Sequence, residues 1–150
     1  MGLIINKPAP RLQMDDLLKQ LKIPRGAGSA GIAVHFGGPV EHGRGFVLHS
    51  AEYQASGNTM QVDARFGMTA TRDILKDIAQ GAGPEQRIVA LGYSGWGPGQ
   101  LDEEFHRNGW LTCDASPEVV FGAADDAKWV AALAVLGIDP LLLSAEAGRA

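Results

Sequence analysis

The sequence predicts an α+β fold built on a mixed β-sheet. Two observations carry this. Short strand-like runs outnumber helical stretches, and the two kinds do not alternate as a doubly wound parallel fold requires. One run, Ile88-Val89-Ala90-Leu91 within residues 87–93, is apolar at four successive positions, the pattern of a strand covered on both faces.

Residues 2–6 (Gly-Leu-Ile-Ile-Asn) read as a strand. Lys7-Pro8-Ala9-Pro10 ends it, because proline has no N–H to give a ladder. Met14, Leu17, Leu18 and Leu21 recur at helical spacing, with Asp15 and Asp16 early and Lys19 and Lys22 late, as the helix dipole favours. Pro24 stops that helix, and residues 26–31 are a flexible stretch of small residues. Residues 32–36 and 45–49 read as strands. The Gly37-Gly38-Pro39 breaker and the short span between them predict a hairpin or a tight crossover. Residues 60–66 alternate weakly, as an edge strand would.

Thr71 is placed as the N-cap of a helix with Ile74, Leu75 and Ile78 on one face, ended by Gly81. After the 87–93 strand come a glycine-rich loop, a helix over 100–108, and short strands at 110–113 and 118–121. A helix then starts at Asp125 or Asp126, carries Trp129, Val130, Leu133 and Leu136, and ends at Gly137. The apolar tail 138–143 is expected to pack. No repeat, low-complexity segment or linker interrupts the 150 residues, so one domain over 1–150 is expected.

Charge narrows the function. Thirteen Lys and Arg stand against seventeen Asp and Glu, for a net charge of −4. Neutralising phosphates needs clustered positive charge, so nucleic acid is not an expected partner. Apolar runs such as Leu3-Ile4-Ile5 and Leu141-Leu142-Leu143 fall far short of the ~20 residues that span a bilayer, so no membrane contact is expected. No charged segment precedes an apolar signal-like run. The one cysteine, Cys113, has no internal partner and reads as a buried, inert thiol. A cytoplasmic location is the expectation.

The strongest local signal is Gly95-Trp96-Gly97-Pro98-Gly99, set between a buried strand and a helix, where phosphate-binding loops sit. Asp102, Glu103 and Glu104 already occupy the field at that helix start, and no Gly-Lys-Ser/Thr follows. The loop is therefore a tight turn, or a site for an uncharged or cationic ligand or a protein partner. Glu103 and Glu104 point to different helix faces and read as solvated or capping. Gly92-Tyr93-Ser94-Gly95-Trp96 misses a nucleophile elbow, which needs a small residue where Trp96 stands. His35, His42 and His49 recur every seven residues, with Glu41 and Glu52 nearby, and lack metal-ligand spacing. No metal or other cofactor is expected. Trp96 and Trp110 flank the 100–108 helix, either as ligand or partner contacts or as a lid on the core.

Several segments together resemble the bacterial YqgE/AlgH family. They are residues 2–8 (Gly-Leu-Ile-Ile-Asn-Lys-Pro), 37–40 (Gly-Gly-Pro-Val), 45–49 (Gly-Phe-Val-Leu-His), 68–75 (Met-Thr-Ala-Thr-Arg-Asp-Ile-Leu), 91–101 (Leu-Gly-Tyr-Ser-Gly-Trp-Gly-Pro-Gly-Gln-Leu) and 108–111 (Asn-Gly-Trp-Leu). The resemblance runs in order along the whole chain. It implies a cytosolic protein whose mixed sheet bends into a pseudo-barrel with flanking helices. It implies no established activity, though some members are labelled transcriptional regulators on genetic grounds. Family members usually carry a further ~30–40 residues, forming two strands, ahead of residues 2–6. The expectation is a chain lacking those strands, either a monomer or a homodimer joined through the exposed sheet edge. The family ends in Gly-His-Ala, where this chain has Gly148-Arg149-Ala150.

The leading functional reading is a non-catalytic regulatory module that binds a small molecule or a protein and affects transcription, if at all, indirectly. Its groove is rimmed by Asn6, Pro8, Gly37, Gly38, Pro39, His49, Tyr93, Ser94 and Trp96, with Gln100 and Trp110 beside it. One alternative is a small hydrolase using Ser94 and His49. Another is a direct DNA-binding regulator, which requires Arg11, Lys22, Arg25 and Arg72 to share a basic face.

Overall fold

The computed structural model describes residues 1–55 and 57–143. The chain forms two compact units, one over Gly2–Ser94 and one from Gly95 onward. The terminal Gly148-Arg149-Ala150 lies outside the described residues.

The first unit is a six-stranded mixed sheet with two helices. Its strands are β1 (Pro8–Gln13), β2 (Ala33–Phe36), β3 (Val40–Ser50), β4 (Thr59–Gln61), β5 (Phe66–Thr69) and β6 (Arg87–Tyr93), in the spatial order β1-β2-β6-β3-β5-β4. Only β2 and β6 run parallel; every other pair is antiparallel. The sheet is open, with β1 and β4 at its edges. Helices α1 (Met14–Gln20) and α2 (Arg72–Gln80) contribute Met14, Leu17, Leu18, Ile74, Leu75, Ile78 and Ala79 to one core. They share it with Val34, Val47 and Val89 of the central strands. The α1 start is closed by its own third residue, whose Asp16 carboxylate accepts the Gln13 N–H at 3.0 Å. Gly81, at φ 79°, ends α2 in the left-handed conformation.

Two expectations, for residues 2–6 and 60–66, are corrected here, and two others are met in a particular form. Residues 2–6 form no regular strand: Gly2 exchanges two 2.8 Å backbone bonds with Ser94, and Ile4 donates to the Gly37 carbonyl at 2.8 Å. The strand starts instead at Pro8, because on an edge the missing proline N–H leaves no ladder bond unmade. Of the hairpin and the tight crossover expected between the 32–36 and 45–49 strands, the crossover forms, with β6 between them. The crossover fits because Gly37 and Gly38 pass the end of β6 at backbone-to-backbone distance. A Cβ on Gly37 would stand 2.3 Å from the Gly92 carbonyl oxygen, and one on Gly38 would stand 2.1 Å from the Tyr93 carbonyl carbon. Residues 60–66 make a hairpin rather than one strand, because the Asp63 carboxylate accepts the backbone N–H groups of Arg65 (2.7 Å) and Phe66 (3.0 Å) and turns the chain. Finally, Thr71 occupies the N-cap position of α2, but its side chain makes no capping bond.

The second unit holds α3 (Gln100–His106), α4 (Lys128–Val135), a single π turn over Glu118–Gly122 and a 3₁₀ turn over Pro140–Leu142. The strands expected at 110–113 and 118–121 do not form. Val119, Val120 and Phe121 favour a pleated, half-buried surface, and no described residue from Gly95 onward is in a strand that could pair with them. Leu141 and Leu142 are 91% and 81% exposed, so the 138–143 tail does not pack as expected. Asp139 turns it outward by accepting the Leu141 N–H at 2.9 Å. Cys113 is half-buried rather than enclosed.

Candidate ligand-binding cavity

A cavity of about 230 Å³ opens between the sheet and helices α1 and α2. Leu17 and Leu21 wall it from the α1 side, and Leu75 from α2. Phe46, Val47, Val89 and Leu91 come from β3 and β6. One reason it exists is the pair Gly43 and Gly45 on β3, which also line it. A Cβ on Gly43 would meet nothing within 4 Å, and one on Gly45 only Leu91 Cδ2 at 3.8 Å. Neither residue has a left-handed φ. Glycine in a strand interior marks a bulge or a close approach by another group, and β3 shifts register against β6 between Val40 and Gly45.

The polar part of the lining is Arg44, Thr69, Thr71 and Arg72. The Thr69 hydroxyl is engaged by Thr59 (2.8 Å) and by His49 Nε2 (3.0 Å). The Thr71 Oγ1 is buried and has no hydrogen-bond partner among the described residues. Arg44 donates to Glu41 at 3.1 Å and lies over the Phe46 ring at 5.3 Å. Arg72 donates to the Leu21 carbonyl, strapping the start of α2 to the end of α1. Arg72 also edges a second groove of about 200 Å³, with Lys22, Arg25 and Lys76. Arg25 faces Asp15 at 3.5 Å and Lys76 faces Asp73 at 2.8 Å.

The second unit has a cluster of its own. Glu104 on α3 accepts Trp96 Nε1 at 3.1 Å and Trp110 Nε1 at 2.6 Å through one oxygen, and Gln100 Nε2 at 2.9 Å through the other. Gln100 in turn accepts the Gly97 N–H at 3.1 Å, and the two indoles meet edge to face at 5.8 Å. The donors on Trp110, Gln100 and Trp96 hold the Glu104 carboxyl below the usual glutamate range. Beside it Trp110, Leu111, Cys113, Trp129, Leu133 and Leu136 line an apolar groove of about 370 Å³.

The AlgH-like family model (DUF179) matches residues 1–141. The chain belongs to this family. It is similar to a UPF0301 protein of Paracoccus denitrificans, 55% identical over 152 residues, covering all of this chain and 80% of the relative. A UPF0301 protein of Ruegeria pomeroyi is 58% identical over 151 residues, covering all of this chain and 82% of the relative. The solution structure of the AlgH protein from Pseudomonas aeruginosa superposes with a TM-score of 0.80 at 40% identity, covering 100% of this chain and 79% of that one. A crystal structure of protein DIP2367 from Corynebacterium diphtheriae shares the fold, at a TM-score of 0.55 and 16% identity over 75% of this chain.

Within this AlgH-like chain the expected site residues are described unit by unit. Gly37, Gly38, Tyr93 and Ser94 come together at one end of β6, where Tyr93 meets Phe46 edge to face at 5.7 Å. Pro39 is exposed. Asn6 is exposed at the bend before β1, and Pro8 opens β1 opposite His35. Trp96, Gln100 and Trp110 converge on Glu104. His49 does not share a rim with Gly37 and Tyr93. It pairs with Arg87 at the opposite end of β6, and six residues of strand lie between Arg87 and Ser94, roughly 23 Å at the usual rise. His49 is fully buried, with Nε2 on Thr69 and Nδ1 on the Ser50 carbonyl at 2.9 Å. Both ring nitrogens are thus committed within the fold, and Gly67 leaves the room that the ring fills: a Cβ there would stand 2.6 Å from His49 Cε1.

Of the basic face tested for DNA binding, Lys22, Arg25 and Arg72 do converge, joined by Lys76 in place of Arg11. Two of these four cations are balanced by Asp15 and Asp73. Sequence reasoning missed the cavity residues Arg44 and Leu75, and the role of Glu104. A signal for the cavity was present in Gly43-Arg44-Gly45, two glycines inside a strand with a cation between them.

Proposed function

We propose that this protein is a non-catalytic regulatory module that binds a small molecule in the cavity between its sheet and helices α1 and α2. The cavity itself carries the reading. At about 230 Å³ it exceeds the ~150 Å³ apolar cavity that suffices for a benzene-sized guest, and it falls below the ~300–1,000 Å³ of drug-sized pockets. Its guest is accordingly small. Binding there joins α1, α2, β3 and β6, so occupancy stabilises the Gly2–Ser94 unit as a whole. Any influence on transcription then runs through a ligand-dependent partner rather than through a basic DNA-binding surface, consistent with a net charge of −4.

The test is a thermal-unfolding screen of the full chain against small apolar and amphipathic compounds, run beside Gly45→Val, which fills the cavity floor. A guest at about 100 times its dissociation constant adds roughly 2.7 kcal/mol, a shift of several degrees. Stabilisation of the wild type that disappears in Gly45→Val supports the reading. Equal stabilisation of both proteins places the guest elsewhere and overturns it.

A further inference from the structure

We infer that the ligand is an amphiphile with a short apolar body and one anionic head. This rests on the reading of the cavity as the ligand seat and names what it takes. The walls from Leu17, Leu21, Phe46, Leu75, Val89 and Leu91 present no hydrogen-bonding side chain, so the part of the guest lying among them is hydrocarbon. By comparison with the benzene-sized case, that body holds roughly six to ten non-hydrogen atoms.

The head is assigned by what stands at the start of α2. Thr71 is half-buried, its Oγ1 is enclosed and has no partner among the described residues, and a buried hydroxyl left unsatisfied costs free energy. Thr71 also leaves the first turn of α2 without a side-chain cap, so backbone N–H groups stay open there, although Asp73 in that turn offsets part of the positive field. The next residue is Arg72. A guanidinium carries five N–H donors, and one of them goes to the Leu21 carbonyl. Arg44 lines the same cavity with one bond to Glu41. An anion set against Thr71 would accept the orphan hydroxyl, a helix-start N–H and an Arg72 N–H. A cation there would share the cavity with the side chains of Arg44 and Arg72. Arg72 also edges the groove with Lys22, Arg25 and Lys76, so the positive field continues outward past the head. Asp73 and Glu41 are the carboxylates nearest in sequence to this seat, and their recorded partners are Lys76 and Arg44.

The head is a carboxylate or a phosphate monoester, and three probes with one tail separate the cases: octanoate, octyl phosphate and 1-octanol. Calorimetric titration of the full chain is expected to show at least one of the anions binding ten-fold or more tighter than the alcohol. Thr71→Val keeps the branched shape and removes the hydroxyl. It should weaken the bound anion about five-fold and leave octanol unchanged. Gly45→Val should abolish binding of all three while its unfolding temperature stays at or above the wild-type value. Octanol binding as tightly as both anions overturns the anionic head while leaving the cavity reading intact. No binding of any probe to the wild type overturns both. Anion binding that survives Gly45→Val but falls at high salt assigns it to the Lys22–Lys76 groove and overturns the inference.

Discussion

Two pairs of glycines stand a few residues apart on the same chain for opposite reasons. Gly37 and Gly38 cross the end of β6 where there is no space for a side chain. Each built Cβ falls within 2.3 Å of backbone atoms in Gly92 or Tyr93. Gly43 and Gly45 have space, and in them the missing side chains form part of a cavity. The first pair is explained by the fold. The second lies where β3 shifts register against β6, and under the proposed function it also leaves room for a guest. Glycine content alone, 20 of 150 residues, does not separate the two cases.

The locked crossing should show the largest effect. Gly92 lies under it with φ 72°, and a Cβ there would sit 2.5 Å from the Gly38 carbonyl oxygen. Gly92→Ala combines a disfavoured φ with a backbone clash that no rotamer relieves. We expect a loss of about 3 kcal/mol or more, read as a shifted urea midpoint with an unchanged slope. A near-neutral result would mean that the crossing is loose, and the contrast between the two pairs would collapse.

Gly67 is an intermediate case. The clash is with a side chain, His49 Cε1, but that ring is held at both nitrogens by Thr69 and the Ser50 carbonyl. Gly67→Ala should cost roughly 1–3 kcal/mol. A smaller cost would show that the ring can shift, and with it one wall of the Thr69 region beside the cavity.

The 95–110 motif uses glycine differently again. Gly97 and Gly99 shape a loop whose carbonyls accept the Gln100 (3.1 Å) and Glu103 (3.0 Å) N–H groups, beside side-chain donors that converge on Glu104. Those donors lower the Glu104 pKa, so the stabilisation is fully present above the ordinary glutamate value and is lost as pH falls through the lowered folded value. Tryptophan emission should therefore hold constant on acidification past the ordinary value and change only below it. Glu104→Ala should abolish that acid transition. A transition at or above the ordinary value would show that the indoles do not hold the carboxylate in solution.

These cases show how far the sequence reaches. The run at 88–91, the helices begun by Met14 and Arg72, and the mixed sheet class were legible because periodicity and burial are local signals. The insertion of β6 between β2 and β3 was not, because strand order depends on a contact between residues 37–38 and 92–94 that no local pattern encodes. Pro8 and Pro10 misled for a related reason: a proline ends a central strand but suits an edge, and edge position is a property of the whole sheet. The Trp96, Gln100 and Trp110 set was found, but its focus at Glu104 was read as solvated. Spacing along a helix does not show which distant donors will converge on a carboxylate.

The smallest expected effect carries the opposite sign. If Gly43 and Gly45 are kept for a guest and not for the fold, alanine at either position should stabilise the ligand-free protein. The built Cβ meets nothing at Gly43 and an ordinary 3.8 Å contact at Gly45, and neither φ is left-handed. Removing glycine from an element interior is worth about 0.5–1 kcal/mol through the unfolded chain, and the methyl gains a little more by covering Leu91 at position 45. Gly45→Ala should thus raise the unfolding temperature by a few degrees, while Gly92→Ala lowers it sharply. Destabilisation by Gly45→Ala would mean that the strand needs glycine for its own geometry, and the cavity would then be a by-product of the fold instead of a place kept open for a ligand.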